Sequence, residues 1–225
     1  MPPAGYVYLA ASSDALAPLV LRAHERLAKK RPRLAVSYAP VAGAPAAVCS
    51  MRAFVAKSFP DADVETFVLP GEVDPMSLDE ARAIVARADM IFVCGGDPVL
   101  GAKIFAENGA DAWLRDSRAR GVPCIGVSAG SIMFGAMWVE WPDDPPPDAP
   151  HYGAILVPCA GVVGDLLVDC HDEADDWVEL RIVGEMLRAT KSQLRIRGIP
   201  TGAGLIVAPD GSLEIVGAPP FEIPL

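Results

Sequence analysis

Three short stretches carry groups suited to acyl-transfer chemistry: Gly126-x-Ser128-x-Gly130, Cys94-Gly95-Gly96-Asp97, and His171 within "VDCHDEADDW". A serine hydroxyl is a weak nucleophile at neutral pH. It needs an exposed position, a base to take its proton, and donors to hold the oxyanion that forms. Ser128 stands where an apolar, strand-like run (Cys124–Val127) stops and a helix-like run (Ile132–Met137) begins. At so sharp a strand-to-helix turn, Gly126 and Gly130 remove the side chains that would collide. The amide of Ala129 then falls at the positive end of the following helix, near an attacked carbonyl. The plainer reading of the same pattern is a tight turn with an ordinary serine.

The chain holds three histidines. His24 lies mid-helix among Arg22, Glu25 and Arg26 and reads as a solvated face. His151 ends a proline-rich loop, and His171 falls between a strand-like run and a helix. Ligands gather at the carboxyl ends of strands in an open α/β sheet, so His171 is the expected base, with His151 the alternative. The acid that would orient the imidazole is open among Asp143, Asp144 and Asp148 of the loop and Asp172, Glu173, Asp175 and Asp176 beside the base. Gly95 and Gly96 leave the end of a strand bare, so the Gly96 amide can approach the same carbonyl as Ala129. Asp97 caps the next helix and, with Arg181, is a candidate substrate contact. The spacings of metal-binding motifs and of phosphate-binding loops are absent, and no metal or cofactor is expected.

The elements that must position these groups alternate. Apolar strands are expected at Tyr6–Ala10, Leu34–Ala39, Val64–Leu69, Met90–Cys94 and Pro123–Val127. Helices are expected at Asp14–Lys30 (Pro18 in its first turn), at Ala46–Phe59, from the Ser77–Glu80 capping box to Arg87, from Asp97-Pro98 to a C-cap at Gly109, and at Ala112–Ala119. Segment 140–153, with five prolines and three aspartates, reads as a surface loop. Beyond it lie a strand at Ala154–Val157, the ambiguous Val162–Cys170, a helix at Glu173–Ala189, and a C-terminal hairpin of Gly204–Ala208 and Leu213–Val216. Uniformly apolar strands separated by helices specify a mostly parallel sheet covered on both faces, a three-layer α/β sandwich.

The chain has 225 residues, and no linker divides it, so residues 1–225 are expected to form a single domain. With 19 basic and 29 acidic residues its net charge is −10, which argues against nucleic-acid and anionic-membrane partners. No apolar run spans a bilayer, and the N-terminus lacks a basic lead. Five cysteines without a C-x-x-C pattern read as buried thiols in the cytoplasm. Apolar helix faces would serve a homodimer.

Taken together, "IFVCGGDP", a serine 32 residues after Gly96 in "GVSAGS", "AILVP", a histidine, "ELRI" and "GLIVAPDGSLEIVG" resemble the dipeptidase E and cyanophycinase family of serine peptidases, from about Leu34 to Val216. That family shares the class I glutamine amidotransferase-like fold. The resemblance implies acyl-enzyme hydrolysis of a peptide or isopeptide bond by Ser128, His171 and an acid, with oxyanion amides from Gly96 and Ala129. The dipeptidase branch places its aspartate 15 residues after the serine, at Asp143. Its substrates are short peptides, and the cyanophycinase-like isopeptidase is the alternative. An α/β-hydrolase separates serine from histidine by on the order of a hundred residues, and here the gap is 43. Aspartyl dipeptidases carry a basic residue shortly before "E-x-R-I", where this chain has Val178. Strict preference for an N-terminal aspartate is therefore not expected, unless a remote arginine such as Arg52 or Arg82 substitutes. A non-catalytic binding module on the same fold is the reading from a different class.

Overall fold

A computed structural model describes residues 4–38, 45–72, 74–144 and 149–225. In chain order the elements are β1 (Val7–Ala10), α1 (Ser13–Leu27), β2 (Arg33–Ser37), α2 (Pro45–Ser58), β3 (Asp63–Thr66), α3 (Leu78–Arg87), β4 (Met90–Val93), α4 (Pro98–Glu107), α5 (Ala110–Ala119), β5 (Cys124–Val127) and α6 (Ala129–Phe134). They continue with β6 (Met137–Glu140), β7 (Ile155–Pro158), β8 (Leu166–Cys170), α7 (Val178–Ala189), β9 (Arg195–Ile199), β10 (Gly204–Val207), β11 (Leu213–Val216) and β12 (Phe221–Ile223).

Seven strands form the central sheet in the order β11-β10-β1-β5-β4-β2-β3. The five on the β1–β3 side are mutually parallel, and the C-terminal hairpin β10–β11 joins antiparallel to β1. Alternate residues of each strand feed two separate cores, as the two-residue period of a pleated sheet requires. Tyr8, Ala10, Leu34, Val36, Phe92 and Ile125 pack under α1 and α2. Val7, Leu9, Ala35, Ile91, Val93 and Cys124 pack under α3, α4, α5 and α6. That division makes the three layers. The expected helix starts hold where caps mark them: Ser77 Oγ accepts from the Glu80 amide, and Asp97 accepts from Val99 and Leu100.

Other expectations are corrected. Pro18 lies in the second turn of α1, not the first. Gly109 does not end α4 but sits left-handed at the start of α5, with Asn108 closing α4. The helix after Ser128 stops at Phe134 instead of running to Met137. A Cβ on Gly135 would lie 2.9 Å from the Leu166 carbonyl, and the Ala136 amide bonds that oxygen at 2.8 Å, so the chain is drawn into pairing instead of another turn. Residues 166–170, ambiguous in sequence, are the strand β8. It belongs to a second sheet, β12-β9-β8, and not to the central one. The helix expected from Glu173 is a short 3-10 turn, two left-handed residues (Asp176, Trp177), and then α7. The break seats the Trp177 ring on Gly198 of β9, where a Cβ would meet ring atoms at 2.5 Å, and stacks it on Phe221 at 5.8 Å. Positions 145–148 of the proline-rich segment, Asp148 among them, lie outside the described residues. No described helix is long and apolar enough to cross a membrane.

Candidate active site

Ser128 follows β5 with φ 52° and ψ −121°, a backbone conformation that costs on the order of 1–3 kcal/mol for a residue with a side chain. The two glycines of the motif make it attainable. A Cβ on Gly126 would lie 2.7 Å from the backbone of Gly130 and Ser131, and one on Gly130 would lie 2.2 Å from the Val93 carbonyl oxygen. Helix α6 thus starts pressed against β5 and β4. The Ser128 amide donates to Ala10 at 2.9 Å, and its carbonyl accepts from Ser131 and Ile132. With its backbone held at both ends, the serine has its side chain pushed outward.

His171 sits directly after β8, also left-handed at φ 53°, and its amide donates to the Ile199 carbonyl at 2.9 Å. This corner turns the ring back toward the elbow. Its Nε2 lies 2.8 Å from Ser128 Oγ. The serine and histidine expected to work together therefore meet, although they come from different sheets.

The two share a cleft of about 390 Å³ with Ala11, Ser12, Ser13, Tyr38, Met51, Cys94, Gly95, Gly96 and Val127. The lining is the carboxyl-terminal edge of β1, β2, β4 and β5, where an open α/β sheet binds ligands. Its size suits a small ligand. Gly95 approaches Ser128 most closely: a Cβ there would lie 3.1 Å from the serine Cβ and 3.5 Å from Oγ. Gly96 has φ 147°, and neither its amide nor that of Ala129 donates to a strand or loop carbonyl among the described residues. The Ala129 amide, first in α6, also has no acceptor within its helix.

The remaining expected residues lie as follows. Asp143 is exposed on the bend after β6 and makes no hydrogen bond among the described residues, nor does Asp144. Asp97 Oδ1 is engaged in capping α4. Arg181 bonds the Asp176 carbonyl at 2.8 Å and its carboxylate at 3.1 Å, and stacks 4.7 Å over Phe221. His151 Nδ1 is 3.8 Å from Glu185. His24 is exposed beside Phe59, lining a different depression.

Carboxylates crowd His171. Burial would raise Glu173, but its bond from the Thr201 amide and the nearby His171 outweigh that and hold it low. Burial first, then repulsion from Asp175, push Asp172 up. Asp169, two residues before the histidine, is only 4% exposed. Burial pushes it up to about 8, with Asp172 and Glu179 adding repulsion and the Cys170 amide opposing. Among the described residues, no group of three His, Cys, Asp or Glu side chains could hold a metal ion. Tyr38, Met51, Ser12 and Ser13 were not expected at the site. Only the order of the strands brings them there, and no local motif marks them.

With this geometry in place, the comparisons are consistent. Residues 10–170 match peptidase family S51. The match covers Gly96, Ser128 and Asp143 and stops one residue short of His171. The chain belongs to peptidase family S51. Among solved structures it is similar to a peptidase from an acI-B1 Actinobacterium, at 15% identity and TM-score 0.71 over 98% of this chain and 94% of that one. It is also similar to a protein from Listeria monocytogenes EGD-e named as a peptidase E, at 16% identity and TM-score 0.65 over 95% and 98%. No curated protein matches.

Proposed function

We propose that the protein is a serine peptidase of the dipeptidase E type that hydrolyses short peptides through an acyl-enzyme on Ser128. The observation that carries this is the 2.8 Å approach of His171 Nε2 to the Oγ of a serine held on a strained elbow inside a cleft. Two left-handed, non-glycine residues aimed at each other are costly unless the geometry is used.

In this mechanism His171 takes the Ser128 proton as Oγ attacks the peptide carbonyl. The amides of Gly96 and Ala129 receive the oxyanion. His171 returns the proton to the amine as the C–N bond breaks, and water repeats the sequence to free the acid. Asp172 and Glu173 flank the imidazolium as it forms; the family resemblance assigns the orienting acid to Asp143, which makes no bond to His171 among the described residues.

Ser128→Ala is expected to lower turnover of a peptide panel by about 10⁴-fold or more without changing the melting temperature by more than a few degrees. A serine-directed fluorophosphonate should add once, at Ser128, by intact mass. Wild-type activity in Ser128→Ala would rule this mechanism out, and no adduct on the native protein would leave a binding module as the reading.

A further inference from the structure

Ser131 is fully buried, yet it carries a hydroxyl in a helix otherwise made of alanine, glycine and large apolar residues. Its amide donates to the Ser128 carbonyl at 2.8 Å. Its Oγ donates at 2.9 Å to the carbonyl of Ala10, the last residue of β1. The same carbonyl accepts the Ser128 amide at 2.9 Å. These bonds close a ring that engages both backbone polar groups of the strained elbow residue, and the Ser131 side chain completes it.

Pairing of the backbone does not require this hydroxyl. A serine within a helix commonly turns its hydroxyl to a carbonyl of its own preceding turn, whereas the partner here is 121 positions away in the sequence. The Ala10 oxygen already holds the Ser128 amide, so alanine at position 131 would orphan no acceptor and would favour the helix. What the hydroxyl adds is a second tether between the elbow and β1.

Cys170 carries the ring to the second sheet. It ends β8, directly before His171, and its Sγ lies 4.0 Å from the same Ala10 oxygen. Burial, and after it Asp169, push the thiol up, while the Ser131 hydroxyl beside it opposes them. The residue next to the imidazole and the residue three beyond Ser128 therefore meet at one carbonyl, just before Ala11 of the cleft wall.

We propose that Ser131, seconded by Cys170, is a positioning residue for the hydrolysis: its hydroxyl fixes the Ala10 carbonyl and the Ser128 backbone so that Oγ stays within bonding distance of His171 Nε2. The assignment rests on Ser128 being the nucleophile, and the test separates the two.

The test follows fluorophosphonate labelling of Ser128 by intact mass, together with kcat and KM on a peptide substrate. Ser131→Ala should slow labelling and kcat about tenfold, the worth of one hydrogen bond, with KM within about twofold and the melting temperature within about 3 °C. Ser131→Thr keeps the hydroxyl and should recover most of the rate. Ser117→Ala is the control: Ser117 is equally buried, on α5, and accepts from Arg120 at 3.1 Å away from the cleft, so its loss should leave labelling at the wild-type rate. Cys170→Ala should slow labelling about threefold, and the double variant with Ser131→Ala about tenfold instead of about thirtyfold, because both side chains act through one carbonyl. That cycle decides the matter if the threonine variant fails to fold. Ser131→Ala labelling at the wild-type rate, a folded Ser131→Thr as slow as Ser131→Ala, or effects that multiply in the double variant overturns the proposal while leaving the nucleophile in place. No adduct on the wild type removes both.

Discussion

Gly130→Ala tests whether the nucleophile is held by contact between backbones. The substitution should help the helix, since alanine is favoured over glycine in a helix interior by about 1 kcal/mol. It should hurt the packing far more. The new Cβ would lie 2.2 Å from the Val93 oxygen, 2.8 Å from its carbonyl carbon and 2.9 Å from the Cys94 oxygen. None of these is the tip of a flexible side chain, because β4 is a central, fully buried strand. Relief requires α6 to move by about an ångström, at an overpacking cost of about 3 kcal/mol. The net loss of about 2 kcal/mol lowers the melting temperature by about 4–8 °C for a chain of this size. A 1 Å displacement of Ser128 from His171 lowers the rate of phosphonate labelling and of peptide turnover by about 10²-fold. Gly95→Ala is the matched control. Its Cβ meets nothing closer than 3.1 Å, so the melting temperature should stay within about 3 °C, while the methyl, 3.5 Å from Oγ, slows labelling. A Gly130→Ala protein that melts at or above the wild-type temperature and labels at the wild-type rate would refute the reasoning.

Three further outcomes are expected. Asp143→Asn should lower kcat by about 10²-fold or more with little change in KM, and Glu173→Gln by less than about tenfold; the reverse ranking moves the orienting role to Glu173. Asp169 stays protonated in the folded protein up to about pH 8, whereas its ordinary value is 3.8. Between those values the folded state holds a proton that the unfolded state has released, so stability falls as pH rises through the window, by up to about 6 kcal/mol in all. The melting temperature of the wild type should accordingly drop relative to Asp169→Asn between pH 5 and 8.5, and parallel curves would refute this. Glu72, which burial pushes up to about 7, should behave in the same sense, with Glu72→Gln flattening the lower part of that curve.

The elbow was legible because its chemistry is local: two glycines, a serine and an apolar run on each side leave few conformations for those residues. The pairing of His171 with Ser128 was legible by elimination among three histidines and by its place at a strand end. The sheet that carries it was not. Strand β8 pairs in parallel with β9, 29 residues further along by register, and β12 closes the other side of β9. Such pairings leave no periodic signal in either segment. The break before α7 was hidden for a related reason, since it is imposed by Gly198 and Phe221, partners far from Trp177 in sequence. Tyr38 and Met51 could not be assigned to the cleft without the strand order, which sets β2 beside β4. Asp143 was reached by resemblance alone, and its exposed position offers no contact from which a role could be read.

Ser128 and His171 are mounted on separate sheets. Between them run the seam of Ala136 and Gly135 against Leu166 and the bond from His171 to Ile199 within the smaller sheet. A slip along that seam parts oxygen from nitrogen while both sheets keep their own ladders. Heat or mild denaturant should therefore silence the protein before it melts, with the earliest amide exchange at Ala136 and not within β4 or β5.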